Sequence, residues 1–129
     1  FRVDADGNAY VAGLIFENSD RNTKTDIVPV DPDELLSKVT QLPVTEWAYK
    51  ESPDSRHIGP MAQDFHAAFG TGHTDTKLAT MDVGGVAIAS IQALEARNRE
   101  LEAEVSTLRE ELNQMKALMM QLLPQTAQN

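Results

Sequence analysis

Residues 91 to 122 hold an unbroken heptad register, and no other feature of the chain constrains its fold so tightly. Ile91, Asn98, Val105, Leu112 and Met119 fall at position a, and Leu94, Leu101, Leu108, Met115 and Leu122 fall at d. An α-helix with this spacing carries one narrow apolar seam that must be buried against other helices. The flanking charges set the direction of those helices. Each g residue is followed five positions later by an e residue of opposite sign: Arg97 then Glu102, Glu104 then Arg109, Glu111 then Lys116. In parallel, in-register chains that g residue lies beside the e residue of its neighbour, so all three pairs attract. A helix packed on its own domain has no use for such matching. The expectation is parallel self-association.

The heptads leave the number of strands open. Ile and Val at a with Leu at d, and the polar Asn98 at one a position, lean toward two. Leu118 at g and Leu123 at e widen the apolar face near the C-terminal end and lean toward three or more. Met115, Met119 and Met120 specify the packing there less sharply than Leu or Ile would. Pro124 is expected to stop the helix, with Gln125 to Asn129 as a frayed polar tail.

The chain has 129 residues, room for one modest globular core besides this helix. Its net charge of −9 argues against nucleic-acid binding, which needs clustered Lys and Arg. Cysteine is absent, which removes disulfides and thiolate metal sites and leaves the redox compartment unread. No apolar run approaches a membrane span, and no cofactor or metal is expected. The chain opens on Phe1-Arg2-Val3 without an initiator Met, as a fragment of something longer would.

Four regions are expected: 1–18 as the end of an upstream β-stalk, 19–82 as a small α+β domain, 83–123 as a coiled-coil helix, and 124–129 as a flexible tail. In the first, Arg2-Val3 and Ala9-Tyr10-Val11 flank the turn cluster Asp4 to Asn8, and Leu14-Ile15-Phe16 is a further apolar stretch. A β-unit this small cannot bury itself. In the second, Asp31 with Pro32 and Glu34 signals a helix start, with Leu35, Leu36, Val39 and Leu42 as its apolar face and Pro43 as its end. Val44 to Lys50 alternates as a strand, and Glu51 to Ser55 is expected to be its turn. Met61, Phe65 and Phe69 recur every four residues before Gly70, which predicts a short helix. Leu78 to Met81 reads as a brief strand, and Asp82 as the cap of the long helix. Gly84 and Gly85 either weaken that helix's start or admit a close backbone. Trp47, Tyr49, Phe65 and Phe69 are most simply core.

Phosphate loops, zinc-binding His pairs and nucleophile elbows are missing, and His57, His66 and His73 lack metal spacing. Ser19 and Lys24, five apart in a polar loop, would by themselves be a solvated surface. Their neighbours change that. The run Ser19-Asp20-Arg21-x-x-Lys24-x-Asp26-Ile27 precedes the Leu35-Leu36 helix and Trp47-x-Tyr49. Arg56-His57-Ile58-Gly59-Pro60-Met61-Ala62-Gln63-Asp64 and Val86-Ala87-x-Ala89-x-Ile91-Gln92-Ala93-Leu94 then follow. In this order and separation the segments resemble the self-cleaving intramolecular chaperone domain at the C-terminus of phage tail fibres and tailspikes, of the endosialidase type. The resemblance covers residues 19 to about 110.

The resemblance implies a homotrimeric folding aid for an upstream fibre of the same polypeptide, carried on a virion tail fibre or a prophage-derived bacterial surface protein. The family's nucleophile matches Ser19, its general base matches Lys24, and the scissile bond is Asn18–Ser19. Asp20, Arg21 and His57 are candidate supporting residues, although His57, placed before a turn, is more simply a hydrogen-bonded structural residue. Many relatives carry Arg at the position of Asn22, whereas here Arg21 precedes it. Serine attacks poorly until a base takes its proton, and lysine is a base only when neutral. Free lysine titrates near pKa ~10.4, so it must be desolvated or set near other cations to act at neutral pH. A different outcome of the same fold is a non-catalytic trimerisation cap that stays attached. A third route breaks the same bond by cyclisation of Asn18, without Lys24.

Overall fold

The computed structural model describes residues 1–5 and 7–124, so the expected tail lies outside the described residues apart from Pro124. The fold is α+β: two small antiparallel sheets and a long C-terminal helix. Two compact units divide the chain, residues 1–90 and 91–129.

The first unit opens with a hairpin. β1 (Arg2–Val3) pairs with β2 (Ala9–Tyr10), Arg2 facing Tyr10 and Val3 facing Ala9. The Asp4 carboxylate gathers the turn, accepting from the Asn8 backbone N–H at 2.8 Å, Asn8 Nδ2 at 3.1 Å and the Tyr10 hydroxyl at 2.9 Å. That hydrogen bond, with the carboxylate's charge, holds the Tyr10 phenol above its ordinary pKa. The hairpin buries nothing, as its size dictates. Leu14, Ile15 and Phe16 form no strand; they run irregularly with their side chains in solvent.

Helix α1 (Pro32–Gln41) starts where its signals place it. Asp31 Oδ1 accepts from the backbone N–H of Asp33 at 3.0 Å and of Glu34 at 3.1 Å, and Pro32 takes the first position. The Glu34 carboxylate pairs with Lys38 at 2.7 Å, one turn on. Replacing Asp31 with Ala should cost ~1 kcal/mol in denaturant unfolding, because two helix N–H groups lose their acceptor. Helix α2 (Ala62–Phe69) ends at Gly70, whose φ of +66° suits a residue without Cβ and whose N–H reaches the His66 carbonyl at 2.8 Å. α1 packs on α2. Leu36, 4% exposed, and Phe65, 2% exposed, are the large apolar side chains buried here. Phe65→Ala should destabilise this unit by roughly 3–5 kcal/mol, read as a lowered denaturant midpoint, since so small a core has no spare apolar contact.

Between the helices, β3 (Thr45–Tyr49) pairs with β4 (Ser52–Gly59). The expected turn at Glu51 to Ser55 shrinks to Lys50-Glu51. Tyr49 faces Ser52 and Ala48 faces Arg56, so Pro53, Asp54 and Ser55 have no residue opposite and bulge from the ladder. Turn-forming residues are tolerated there because a bulge releases them from pairing. Trp47, Tyr49 and His57 share one face, with ring centroids 4.8–5.6 Å apart. Tyr49 is 57% exposed and is not core: a two-stranded sheet covers its face only partly.

Helix α3 spans Thr80–Leu122. The apolar run at Leu78 to Met81 is its entry, not a strand, because a lone short strand there has no edge to pair with. Asp82 therefore lies in the first turn and does not cap it. Gly84 and Gly85 are inside the helix, and a Cβ on either would meet nothing within 4 Å. Within one chain they admit no close neighbour. In the second unit the heptad seam lies in solvent, from Val105 at 44% exposed to Leu122 at 83%. Among the described residues no helix is long and apolar enough to cross a membrane.

Candidate active site

The segment from Glu17 to Asp26 is built by short polar side chains that bond to nearby backbone, as Asn, Asp and Thr do in turns. Asp20 caps a 3-10 turn at Arg21–Thr23. Its Oδ1 accepts from Asn22 N–H at 3.0 Å and from Asn22 Nδ2 at 2.9 Å. Its carbonyl accepts from the Thr23 N–H at 3.1 Å and the Thr23 hydroxyl at 2.9 Å. On the other side, Asn18 Oδ1 accepts from Asp20 N–H at 3.1 Å, and Asn18 Nδ2 donates to Thr23 Oγ1 at 3.2 Å. Asp26 leaves the loop with φ at +53°, a left-handed conformation that Asp tolerates better than most residues.

This turn folds Lys24 back on Ser19. Lys24 Nζ donates to Ser19 Oγ at 2.7 Å, close enough for direct proton exchange. Both side chains are exposed. Arg21, the first residue of the 3-10 turn, is likewise exposed. His57 stands apart: it stacks on Trp47, its Nε2 lies 3.4 Å from Ser55 Oγ, and it makes no hydrogen bond to Ser19 or Lys24. Glu17 ties the segment to the far end of the same unit, accepting from the Thr80 hydroxyl at 2.6 Å at the first residue of α3. Sequence reasoning passes over Thr23, the bonds from Asn22 to Asp20 and this Glu17–Thr80 bond. The polar run Asn18 to Thr25 signals a side-chain-built turn, which would have found the first two. Nothing local points to a partner 63 residues away.

Residues 19–71, from Ser19 through α2, match the model of a peptidase family described as the chaperone of endosialidase. Over this segment the chain is similar to the endosialidase-type chaperone domain. Its first matched residue is Ser19. The match holds the Ser19–Lys24 pair, the α1–α2 core and the aromatic hairpin together in one unit. No curated protein is significantly similar to the chain.

The seam of α3 is the other feature without a partner. Ile91, Leu94, Asn98, Leu101, Leu108, Met115 and Met119 are exposed along with Val105, Leu112 and Leu122. On the flanks, Glu95 pairs with Arg99 at 2.7 Å along the helix. Glu104, Arg109, Glu111 and Lys116 make no ion pair among the described residues.

Proposed function

We propose that the chain is an intramolecular chaperone that assembles an upstream fibre of the same polypeptide as a homotrimer and frees itself by cutting Asn18–Ser19. The observation that carries this reading is the 2.7 Å approach of Lys24 Nζ to Ser19 Oγ at the edge of a chaperone-family domain. Neutral Lys24 takes the Ser19 hydroxyl proton as Oγ attacks the Asn18 carbonyl carbon. The Asn18–Ser19 C–N bond then breaks, and the lysine returns the proton to the leaving amine. The resulting ester is hydrolysed by water, leaving a carboxylate on Asn18 and a free amino terminus on Ser19. Attack within one chain and attack on a neighbour's bond obey the same balance. Each chain cuts once.

Assembly supplies the trigger. In the single chain Ser19 and Lys24 are open to water. Parallel self-association would bring copies of the segments just before and after the dyad together, and their packing would exclude water from Lys24. Ile27, Val28 and Val30 follow the loop, and Leu14, Ile15 and Phe16 precede it, all with exposed apolar side chains suited to that burial. Cutting then reports that the upstream fibre has wound. A phage tail fibre is the setting in keeping with a chaperone of endosialidase.

The Asn18 side chain is engaged at both its oxygen and its nitrogen, which disfavours its cyclisation onto its own carbonyl. Weighing the products of the wild-type chain and of the Ser19→Ala, Lys24→Ala and Asn18→Ala forms decides among the routes. Loss of cutting in both dyad variants is expected. Loss on Asn18 replacement alone would mean cyclisation, and no cutting in any form would leave an attached trimerisation cap.

A further inference from the structure

We propose that Thr23 is a positioning residue for the cut and that Asn18 is selected as an amide, the two forming a clamp that presents the scissile carbonyl to the dyad. This rests on the self-cleavage reading above and adds to it the requirement on the residue before the cut.

The polarity of the bonds determines what fits at position 18. A hydroxyl has one proton, and Thr23 directs it to the Asp20 carbonyl at 2.9 Å. Thr23 Oγ1 is then an acceptor toward Asn18, which must supply a donor; Nδ2 does so at 3.2 Å. On its other side position 18 meets the Asp20 N–H, which needs an acceptor; Oδ1 provides it at 3.1 Å. Only an amide offers both from one side chain of this length. A carboxylate at position 18 would set an acceptor against an acceptor at Thr23.

The clamp also bears on the base. Thr23 is held twice to the Asp20 carbonyl and directly precedes Lys24, whose own N–H bonds to the Arg21 carbonyl at 3.2 Å. Residues 18 and 20 are pinned to each other across Ser19. The nucleophile, the carbonyl it attacks and the base are thus indexed to one 3-10 turn. These bonds are exposed, so each contributes little to stability. Their leverage on the rate is larger, because a displacement of about 1 Å at a reacting centre costs up to ~100-fold.

The test follows self-cleavage of the full chain in a pulse-labelled cell-free synthesis, with sedimentation to establish assembly. Thr23→Val, which keeps shape and loses the hydroxyl, should slow the first-order rate about tenfold or more, and Thr23→Ser should restore it to within about threefold. Asn18→Asp should be slowed like Thr23→Val, and the Asn18→Ala/Thr23→Val double variant should be no slower than the slower single one. Wild-type cutting by Thr23→Val, failure of Thr23→Ser to rescue, or multiplying effects in the double variant would overturn the clamp. A second readout is independent of cutting. In the uncuttable Ser19→Ala chain, Thr23→Val should speed Asn18 deamidation about threefold by freeing Nδ2, measured by mass. An unchanged deamidation rate sinks the clamp even if the dyad stands, and a wild-type chain that never cuts sinks the dyad while this measurement still judges the clamp.

Discussion

Val105→Asp combined with Leu112→Asp is expected to leave the chain monomeric and uncut. Both residues occupy a positions of a seam that is wholly in solvent in the single chain. Burying each side chain in an assembly contributes roughly 1.5–3 kcal/mol, so the double change forfeits on the order of 3–6 kcal/mol per chain. In a parallel bundle the new carboxylates also face their own copies, adding like-charge repulsion and desolvation to the loss. Aspartate is only a modestly poor helix former, so α3 should persist and circular dichroism should stay strongly helical. Sedimentation reports the oligomer and intact mass reports the cut. A monomer that cuts as fast as the wild type refutes the coupling of assembly to cleavage while leaving the dyad untouched.

Lys24→Arg is expected to abolish cutting almost as fully as Ser19→Ala, although it keeps the charge and can keep a hydrogen bond to Ser19. Arginine stays protonated throughout the accessible pH range, so it can donate to Ser19 Oγ but never accept its proton. General-base removal costs about 10²–10⁴-fold, and the cut should fall by that factor in both Lys24→Arg and Lys24→Ala. The pH profile separates a base from a structural tether. A base that takes the proton leaves an ionisation in the rate profile of wild-type cutting, and residual cutting in Lys24→Arg should lose it. If Lys24→Arg cuts at the wild-type rate, Lys24 orders the loop and something else takes the proton.

The elements that were legible in the sequence are those decided within a few residues. Asp31-Pro32 announces α1 because the cap and the missing proline N–H act on the first turn alone. Phe65, Phe69 and Gly70 announce α2 for the same kind of reason. β4 was hidden because Pro53, Asp54 and Ser55 favour a turn locally, whereas pairing of Arg56 to Gly59 with β3 carries the strand around them as a bulge. The entry of α3 is helical where a strand is expected because a four-residue apolar run does not distinguish strand from helix. Ser19 and Lys24 were found through the order of their neighbours, not through their spacing, which any solvated loop offers.

By itself the sequence determined that α3 carries an apolar seam with charge flanks suited to parallel copies, since that follows from helical periodicity and side-chain chemistry alone. It also carried the residue types of the dyad and of the turn between them. Only the tertiary structure decided that Lys24 reaches Ser19, that the Asn18 amide donates to Thr23, that His57 joins Trp47 and Tyr49 instead of Ser19 and Lys24, and that Glu17 is tied to Thr80. Those outcomes depend on the path of the backbone through a loop and across a sheet. Periodicity and propensity describe a segment's own preferences and are silent about where it meets another.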